Sequence, residues 1–480
     1  MKKCMVFTMI LFSWCASERA QAEVALPAIF GDHMVLQNGM KVPVWGTASA
    51  GEKVRVKTAG QEKSTTADEK GKWRVELDAM QAGDAIELVV TGKNSVTFKD
   101  VLVGEVWVCS GQSNMGFSLK SAANAEEALK SANRPKIRLF MVGRNFPDQP
   151  QEALTGKWEI CTPETAAGFS AVAYFFATDL QQKLNQPMGL IQASWGGTRA
   201  EAWMSKPAFD ALQLPYEPVW TEQCLHPKSA KGVAQPGKAR PHQMPAGLYN
   251  GMIAPIAGYA MRGVIWYQGE TNTAHGEHYR DVLGALITSW RDAWKQGDFP
   301  FLVVQLANLQ NARFWPTLRA GQAQVAKELP NVGLTVTIDV GESRDIHPKD
   351  KQTVGQRLAL SSLKIAYNRD VPHSGPVYES MKIEGSEAII SFDHIYDGLM
   401  SKGGELQGFD IAGEGGKFVP AQATIVGERV IVSADGVTSP RAVRYAWAND
   451  PTCTLYNKAG LPAAPFDSTM DIEARRRRDR

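Results

Sequence analysis

The sequence predicts an α/β fold: a parallel sheet covered by helices on both faces, with β-rich segments before and after it. Three observations carry that expectation. Between residues 104 and 371, apolar runs of five to seven residues alternate with amphipathic stretches of helical period. On either side the helical stretches give way to short alternating runs bounded by turn residues. The 480 residues are also too many for one compact core, so two or three domains are expected.

The elements follow in order. Residues 1–22 read as an export signal: Lys2 and Lys3 precede an apolar run, Met5 to Trp14, too short to span a bilayer. Ala20-Gln21-Ala22 is an A-x-A cleavage site, which puts the mature start at Glu23 and the protein in the periplasm or outside the cell. Cys15 raises lipid attachment, but Trp14 stands where a lipobox wants a small residue. Residues 23–103 form the N-terminal β-sandwich, with strands expected at Val42 to Trp45, Lys53 to Lys57, Trp73 to Leu77 and Ile86 to Val90. Residues 104–371 are the α/β domain. Its strands are expected at Glu105 to Cys109, Met188 to Ala193, Gly263 to Tyr267, Phe301 to Leu306 and Gly333 to Ile338. Its helices are expected at Ala171 to Leu184, His278 to Trp294 and Gln352 to Ala366. Residues 224–247, rich in Pro, Gly, Lys and His, read as a long surface loop. Residues 372–468 return to β texture, as a C-terminal β-domain or an extension, and 469–480 form a basic, disordered tail.

Charge narrows the partners. The formal net charge is +2, and Arg475 to Arg480, with five Arg and one Asp, hold +4 of it, leaving −2 for the rest. So small a charge gives no reason to expect a nucleic acid. No segment after the leader is long and apolar enough for a membrane helix. Beyond Cys4 and Cys15, the cysteines at 109, 161, 224 and 453 are too scattered for a disulfide framework, and none has zinc-ligand spacing. Cys109 reads as a small buried hydrophobe. His275 and His278 stand three apart but lack a third ligand, so no metal is expected.

In an open parallel sheet, ligands bind beyond the carboxyl ends of the strands. Four polar, glycine-bearing stretches fall there: Ser110 to Met115, Ser194 to Glu201, Trp266 to Asn272, and Glu342 to Pro348. Ser113 follows a strand and a tight turn, which sets its hydroxyl at the sheet edge. A serine hydroxyl needs an adjacent base, and the base needs an orienting group. His347 and Asp345, two apart in an extended loop, supply both on one side of the chain. Taken alone, Ser113 would be read as a turn or capping serine and His347 as a surface histidine. Acyl transfer also needs donors for an oxyanion. The N–H of Ser113, a backbone N–H at Gly196-Gly197 and the Gln268 amide are the candidates, against a plain turn and a satisfied buried amide. Arg199, Glu201 and Glu270 are candidate sugar contacts; an ion pair for the first two and a supporting role for Glu270 are the bland alternatives.

These stretches resemble the SGNH/GDSL hydrolase superfamily and, within it, the sialate O-acetylesterase family of carbohydrate esterases. The resembling blocks are Gly111-Gln112-Ser113-Asn114-Met115, Gly196-Gly197-Thr198, Trp266-Tyr267-Gln268-Gly269-Glu270 and Asp345-Ile346-His347-Pro348. Leu248 to Ile253, Pro300 to Leu306 and Leu455 to Pro462 extend the likeness, which runs from about Leu26 to Phe466. The resemblance implies a flavodoxin-like three-layer core, no metal and no organic cofactor. It implies a Ser113 nucleophile and oxyanion donors at Ser113, Gly197 and Gln268. Two departures stand out. Gln268 occupies the place of the superfamily's asparagine. The last block has Arg344 where the superfamily has its aspartate, so Asp345 is the first choice to orient His347 and Asp339 the reserve.

The expected activity is hydrolysis of O-acetyl esters on a sugar through an acyl-enzyme on Ser113, with O-acetylated sialic acid as substrate. Acetylated xylan or another plant glycan is the alternative, because the chemistry is the same and only the sugar pocket differs. A non-catalytic glycan-binding protein on the same scaffold is the alternative from a different class, and the intact Ser113 and His347 argue against it.

Overall fold

The computed structural model describes residues 23–216 and 241–470. The expected leader, most of the 224–247 stretch and residues 471–480 of the basic tail lie outside the described residues.

One strand organises the molecule. Ser95–Gly111 runs for 17 residues, alternating exposed and half-buried up to position 100 and continuously buried from Val101 onward. The pattern records two environments along one chain. The first part pairs antiparallel with Ile86–Thr91, where one face meets water; the second lies inside a parallel sheet covered on both faces. The expected boundary between residues 103 and 104 falls within this strand. Lys53–Thr58 and Gln61–Thr66 extend the antiparallel side, and Val42–Thr47 pairs with Lys72–Leu77.

The central sheet has the parallel order Val332–Thr335, Phe301–Val304, Gly263–Tyr267, Ser95–Gly111, Met188–Ser194, Arg134–Met141, with Trp158–Cys161 antiparallel at one edge. The chain proceeds from Ser95–Gly111 to neighbours on opposite sides, which makes the end of this strand the switch point where a crevice opens. Gly111 is level with Ser194 on one side and Tyr267 on the other, so three strands end flush.

Helices lie on both faces. Ala171–Leu184 and Lys351–Ile365 pack on Trp107, Cys109, Ile265 and Leu302. Tyr279–Trp294 and Trp315–Glu328 pack on Val106, Val108, Trp266 and Val303, the alternate residues of the same strands. Ala171–Leu184 has the expected limits. Ser170 Oγ accepts from the Ala173 N–H at its start, and Asn185, at φ 52°, ends it in the left-handed conformation. The helix Trp315–Glu328 and the strands Arg134–Met141 and Trp158–Cys161 were not anticipated. The last parallel strand stops at Thr335, short of the expected Ile338, because Val336 and Ile338 leave the sheet and bury in the C-terminal apolar cluster.

That cluster lies among antiparallel sheets built from Val377–Glu384, Glu387–Asp393, Gln422–Val426 and Arg429–Ser433, and from Phe409–Ala412, Phe418–Pro420, Ala442–Tyr445 and Phe466–Asp467. Arg319, fully buried, ties the region to the central sheet. Its guanidinium donates to the carbonyls of Leu306, Ala307, Ala448 and Asn449 at 2.8–3.0 Å. Burial without a touching carboxylate holds its pKa down to about 9. Among the described residues no helix is long and apolar enough to cross a membrane.

Candidate active site

Gly111 ends the central strand at φ +139°, and a Cβ there would stand 2.1 Å from the Tyr267 carbonyl oxygen. Only glycine permits that close approach, and it turns the chain so that Ser113 emerges at the crevice. The neighbouring loop closes in through Gly196, where a Cβ would lie 3.2 Å from Ser113 Cβ. The Trp195 N–H donates to the Gly111 carbonyl at 3.1 Å, which fixes that loop against the serine turn.

His347 Nε2 stands 2.9 Å from Ser113 Oγ. Asp345 Oδ1 accepts the His347 backbone N–H at 2.9 Å and lies 3.8 Å from His347 Nδ1. That is an ion-pair distance, longer than a hydrogen bond. Burial pushes the His347 pKa below its ordinary value, opposed by the Asp345 charge and assisted by Lys351. The reserve candidate, Asp339, is engaged elsewhere: both its oxygens take 2.6 Å bonds from the Arg357 guanidinium, and Tyr456 donates to one of them at 3.2 Å.

Three of the expected contacts are turned inward. Gln268 is fully buried, and its amide nitrogen faces three acceptors: Asn272 Oδ1 at 2.7 Å, the Thr198 carbonyl at 3.1 Å and Gln112 Oε1 at 3.2 Å. Its amide oxygen accepts from the Tyr279 hydroxyl at 2.7 Å. These partners fix the amide's orientation and leave no donor for an incoming oxyanion; Gln268 ties the Gln112 and Thr198 loops together instead. Glu201 is fully buried and accepts from Asn272 Nδ2 at 2.7 Å and the Tyr216 hydroxyl at 3.2 Å, so it does not reach a sugar. Glu270 accepts from Asn114 Nδ2 beneath the serine turn, and burial raises its pKa, which corrects the sugar-contact expectation in favour of a supporting role. Arg199 is half-buried beside this network. Among the described residues no three His, Cys, Asp or Glu side chains converge as a metal site.

Two groups went unread in the sequence. The first is Asn114 and Lys351, which join the serine turn to the His347 loop. Lys351 Nζ donates to Asn114 Oδ1 at 2.6 Å, and Asn114 Nδ2 donates to the Ile346 carbonyl at 2.9 Å. A lysine just beyond a histidine motif carries no periodic signal, though its place at the start of the helix Lys351–Ile365 could have drawn notice. The second is an aromatic wall on the loops beside Ser113. The Trp195 ring stacks on His242 at 4.7 Å, Phe146 meets it edge-on at 5.7 Å, and the Arg144 guanidinium lies 5.2 Å over it. Phe146 is 40% exposed, an apolar surface at the crevice rim.

The chain is similar to known proteins over most of its length. Residues 103–364 match the family described as carbohydrate esterase, sialic acid-specific acetylesterase. The human sialate O-acetylesterase is 30% identical over 479 residues, covering 88% of this chain and 88% of that protein. The mouse sialate O-acetylesterase is 30% identical, covering 91% and 92%. The crystal structure of a carbohydrate acetylesterase from Xanthomonas citri superposes with a TM-score of 0.84 at 37% identity, covering 92% of this chain and 99% of that one.

Proposed function

Because the chain belongs to the sialic acid-specific acetylesterase family of carbohydrate esterases, we propose that it removes O-acetyl groups from sialic acid through an acetyl-enzyme on Ser113. The observation that carries the reading is the 2.9 Å contact between Ser113 Oγ and His347 Nε2 at the switch point of the sheet. His347 Nε2 takes the hydroxyl proton as Ser113 Oγ attacks the acetyl carbonyl carbon. The developing oxyanion is met by the backbone N–H groups of Ser113 and Gly197. The tetrahedral adduct collapses, the sugar oxygen leaves with the proton from His347, and acetyl-Ser113 remains. Water then attacks the ester carbon and gives a proton to His347; the second adduct collapses, the bond to Ser113 Oγ breaks, Oγ takes the proton back from His347, and acetate departs. Asp345 orients the ring and favours the imidazolium. Arg199 and the wall formed by Phe146 and Trp195 take the sugar.

Sialic acid is favoured because the mammalian relatives are sialate O-acetylesterases. A second reading, an acetylated xylan or another plant glycan, stays open because the solved relative is a carbohydrate acetylesterase and the same chemistry serves any acetylated sugar. We read the core as the SGNH type and the flanking β-rich regions as accessory domains, and the Lys2 to Ala22 pattern supports export. The test is acetate release from a panel of O-acetylated sialic acids and acetylated xylo-oligosaccharides, with Ser113→Ala beside the wild type. Release from the sialic acids, abolished in Ser113→Ala, is expected. Release from the xylo-oligosaccharides alone would replace the substrate, and an active Ser113→Ala would remove the nucleophile.

A further inference from the structure

We propose that Lys351 and Asn114 are positioning residues that hold His347 in register with Ser113, an inference that rests on the nucleophile and base assigned above. Asn114 follows Ser113 directly, and Ile346 precedes His347. The bond from Asn114 Nδ2 to the Ile346 carbonyl, 2.9 Å, therefore joins the two reacting loops one residue away from each reacting side chain.

The Asn114 amide cannot flip. Its oxygen faces the Lys351 ammonium at 2.6 Å, and its nitrogen faces two acceptors, the Glu270 carboxylate and the Ile346 carbonyl. A flip would set the amide N–H groups against an ammonium and the amide oxygen against a carboxylate and a carbonyl. Asn114 is 2% exposed and Lys351 fully buried, so water does not stand in for any of these partners. The Lys351 ammonium also lies 5.0 Å over the Phe117 ring and 5.2 Å over the Tyr267 ring, and the Phe117 ring in turn stacks near His347 at 6.4 Å. The acidic groups that act on Lys351 are Glu270, Asp345, Asp350 and Glu342, and the base it acts on is His347. Burial brings the Lys351 pKa down to about 8 in spite of these four carboxylates.

A buried cation and a buried carboxylate gripping one amide from opposite sides have a narrow task. Neither reaches the reacting atoms, yet together they leave Asn114 a single pose, and that pose presents a donor to the His347 loop. The cation also acts at a distance. Its charge opposes protonation of His347, which keeps the imidazole neutral and ready to accept the serine proton at lower pH.

The experiment compares wild type, Ser113→Ala, Lys351→Met and the double variant Lys351→Met/Glu270→Gln. kcat and KM are read on an acetylated sugar, together with the pH profile of kcat/KM. Lys351→Met is expected to lower kcat by about 10²-fold, the usual effect of a misplacement near 1 Å, with KM within about twofold. The acid limb of the profile should move to higher pH, because a charge that opposes protonation of His347 is gone. A merely structural lysine would not move that limb. The double variant removes both buried charges together, so it keeps the test available if the single variant does not fold. Its limb should also lie above the wild-type one, with kcat still reduced. A folded variant with wild-type kcat, or with a reduced kcat but an unmoved limb, overturns the positioning role. Activity surviving in Ser113→Ala would instead overturn the nucleophile assignment beneath it.

Discussion

Replacing Asp345 with Asn measures how strongly the third group acts on the base. Two unit charges about 4 Å apart attract by about 1 kcal/mol in bulk water and about 4 kcal/mol near a protein surface. Asp345 Oδ1 lies 3.8 Å from His347 Nδ1, and the two side chains are 46% and 38% exposed. Water therefore screens much of the attraction, and the lower part of that range applies, about 1–2.5 kcal/mol, or a roughly 5- to 70-fold loss of kcat/KM. A buried triad aspartate, by contrast, is worth about 10⁴-fold. The sign of the pH effect also follows. With His347 as the proposed base, its neutral form is the active one, so activity should rise with pH through its pKa, which burial holds below the ordinary value. Asp345 opposes that depression, so Asp345→Asn should move the acid limb to lower pH still. The assay is acetate release on a sugar ester between pH 4 and 9, with Asp339→Asn as the control. Asp339 is held by Arg357, so its loss should lower stability and leave the limb in place. A 10⁴-fold loss in Asp345→Asn would refute the screened coupling and show that the pair closes into a tight bond during turnover. An unchanged rate would remove Asp345 from the mechanism.

Three other outcomes are expected. Gln268→Leu leaves the Thr198 carbonyl without its donor and takes one partner each from the Tyr279 hydroxyl, which keeps the backbone carbonyl of residue 268, and from Asn272 Oδ1, which keeps the Ala200 N–H; the unpaired carbonyl alone costs about 1–3 kcal/mol. The melting temperature should fall by several degrees while turnover per folded molecule stays within about tenfold; a loss of about 10²–10³ at an unchanged melting point would restore Gln268 as an oxyanion donor. Arg319→Met takes a donor from four buried carbonyls; Ala307 keeps the Trp315 indole N–H and Asn449 the Leu309 N–H, but Leu306 and Ala448 lose theirs, which should cost about 2–5 kcal/mol in denaturant titration; wild-type stability would show that the carbonyls find other partners. Burial, with His394 beside it, depresses the His373 pKa to about 4. An unfolded chain takes up that proton near pH 6.5 and the folded one only near 4, so stability is lost as pH falls across this window. With screening of a partly exposed ring the loss is on the order of 1–2 kcal/mol. His373→Gln should flatten that part of the curve of melting temperature against pH, and an unaltered slope would rule the ring out as its source.

The serine turn and the histidine loop were legible because each is a local signal: a strand, a glycine where the backbone must turn sharply, then a polar side chain. The strand Arg134–Met141 escaped because Pro135, Lys136 and Arg138 interrupt its apolar run. The Arg138 head is satisfied by Asp100 and backbone carbonyls, which no local pattern announces. The helix Trp315–Glu328 escaped for a related reason. Its buried face carries Arg319 and Gln322, polar residues whose partners are backbone groups of other segments. Gln268, Glu201 and Glu270 show the same limit within the site. Their residue types suit a sugar or an oxyanion, but which way each side chain turns depends on Asn272, Tyr279, Tyr216 and Asn114, contributed by other stretches of chain.

The grip of Arg319 has a consequence for biosynthesis. A ribosome that has delivered residues up to 371 has released Ser113, Asp345 and His347, yet two of the four carbonyls around Arg319 belong to Ala448 and Asn449 and do not yet exist. The loop that follows Phe301–Val304 waits for the same stretch, since Asn308 donates to Asp450 and Leu309 to Asn449, and that loop in turn holds the His347 loop through the bond from Gln310 to Ser343. The three side chains proposed to react therefore all precede Ala448 to Asp450 in the chain, yet the segments behind them are held only once that late stretch has folded onto the central sheet, so a chain truncated before residue 448 should carry those side chains without the frame that fixes them.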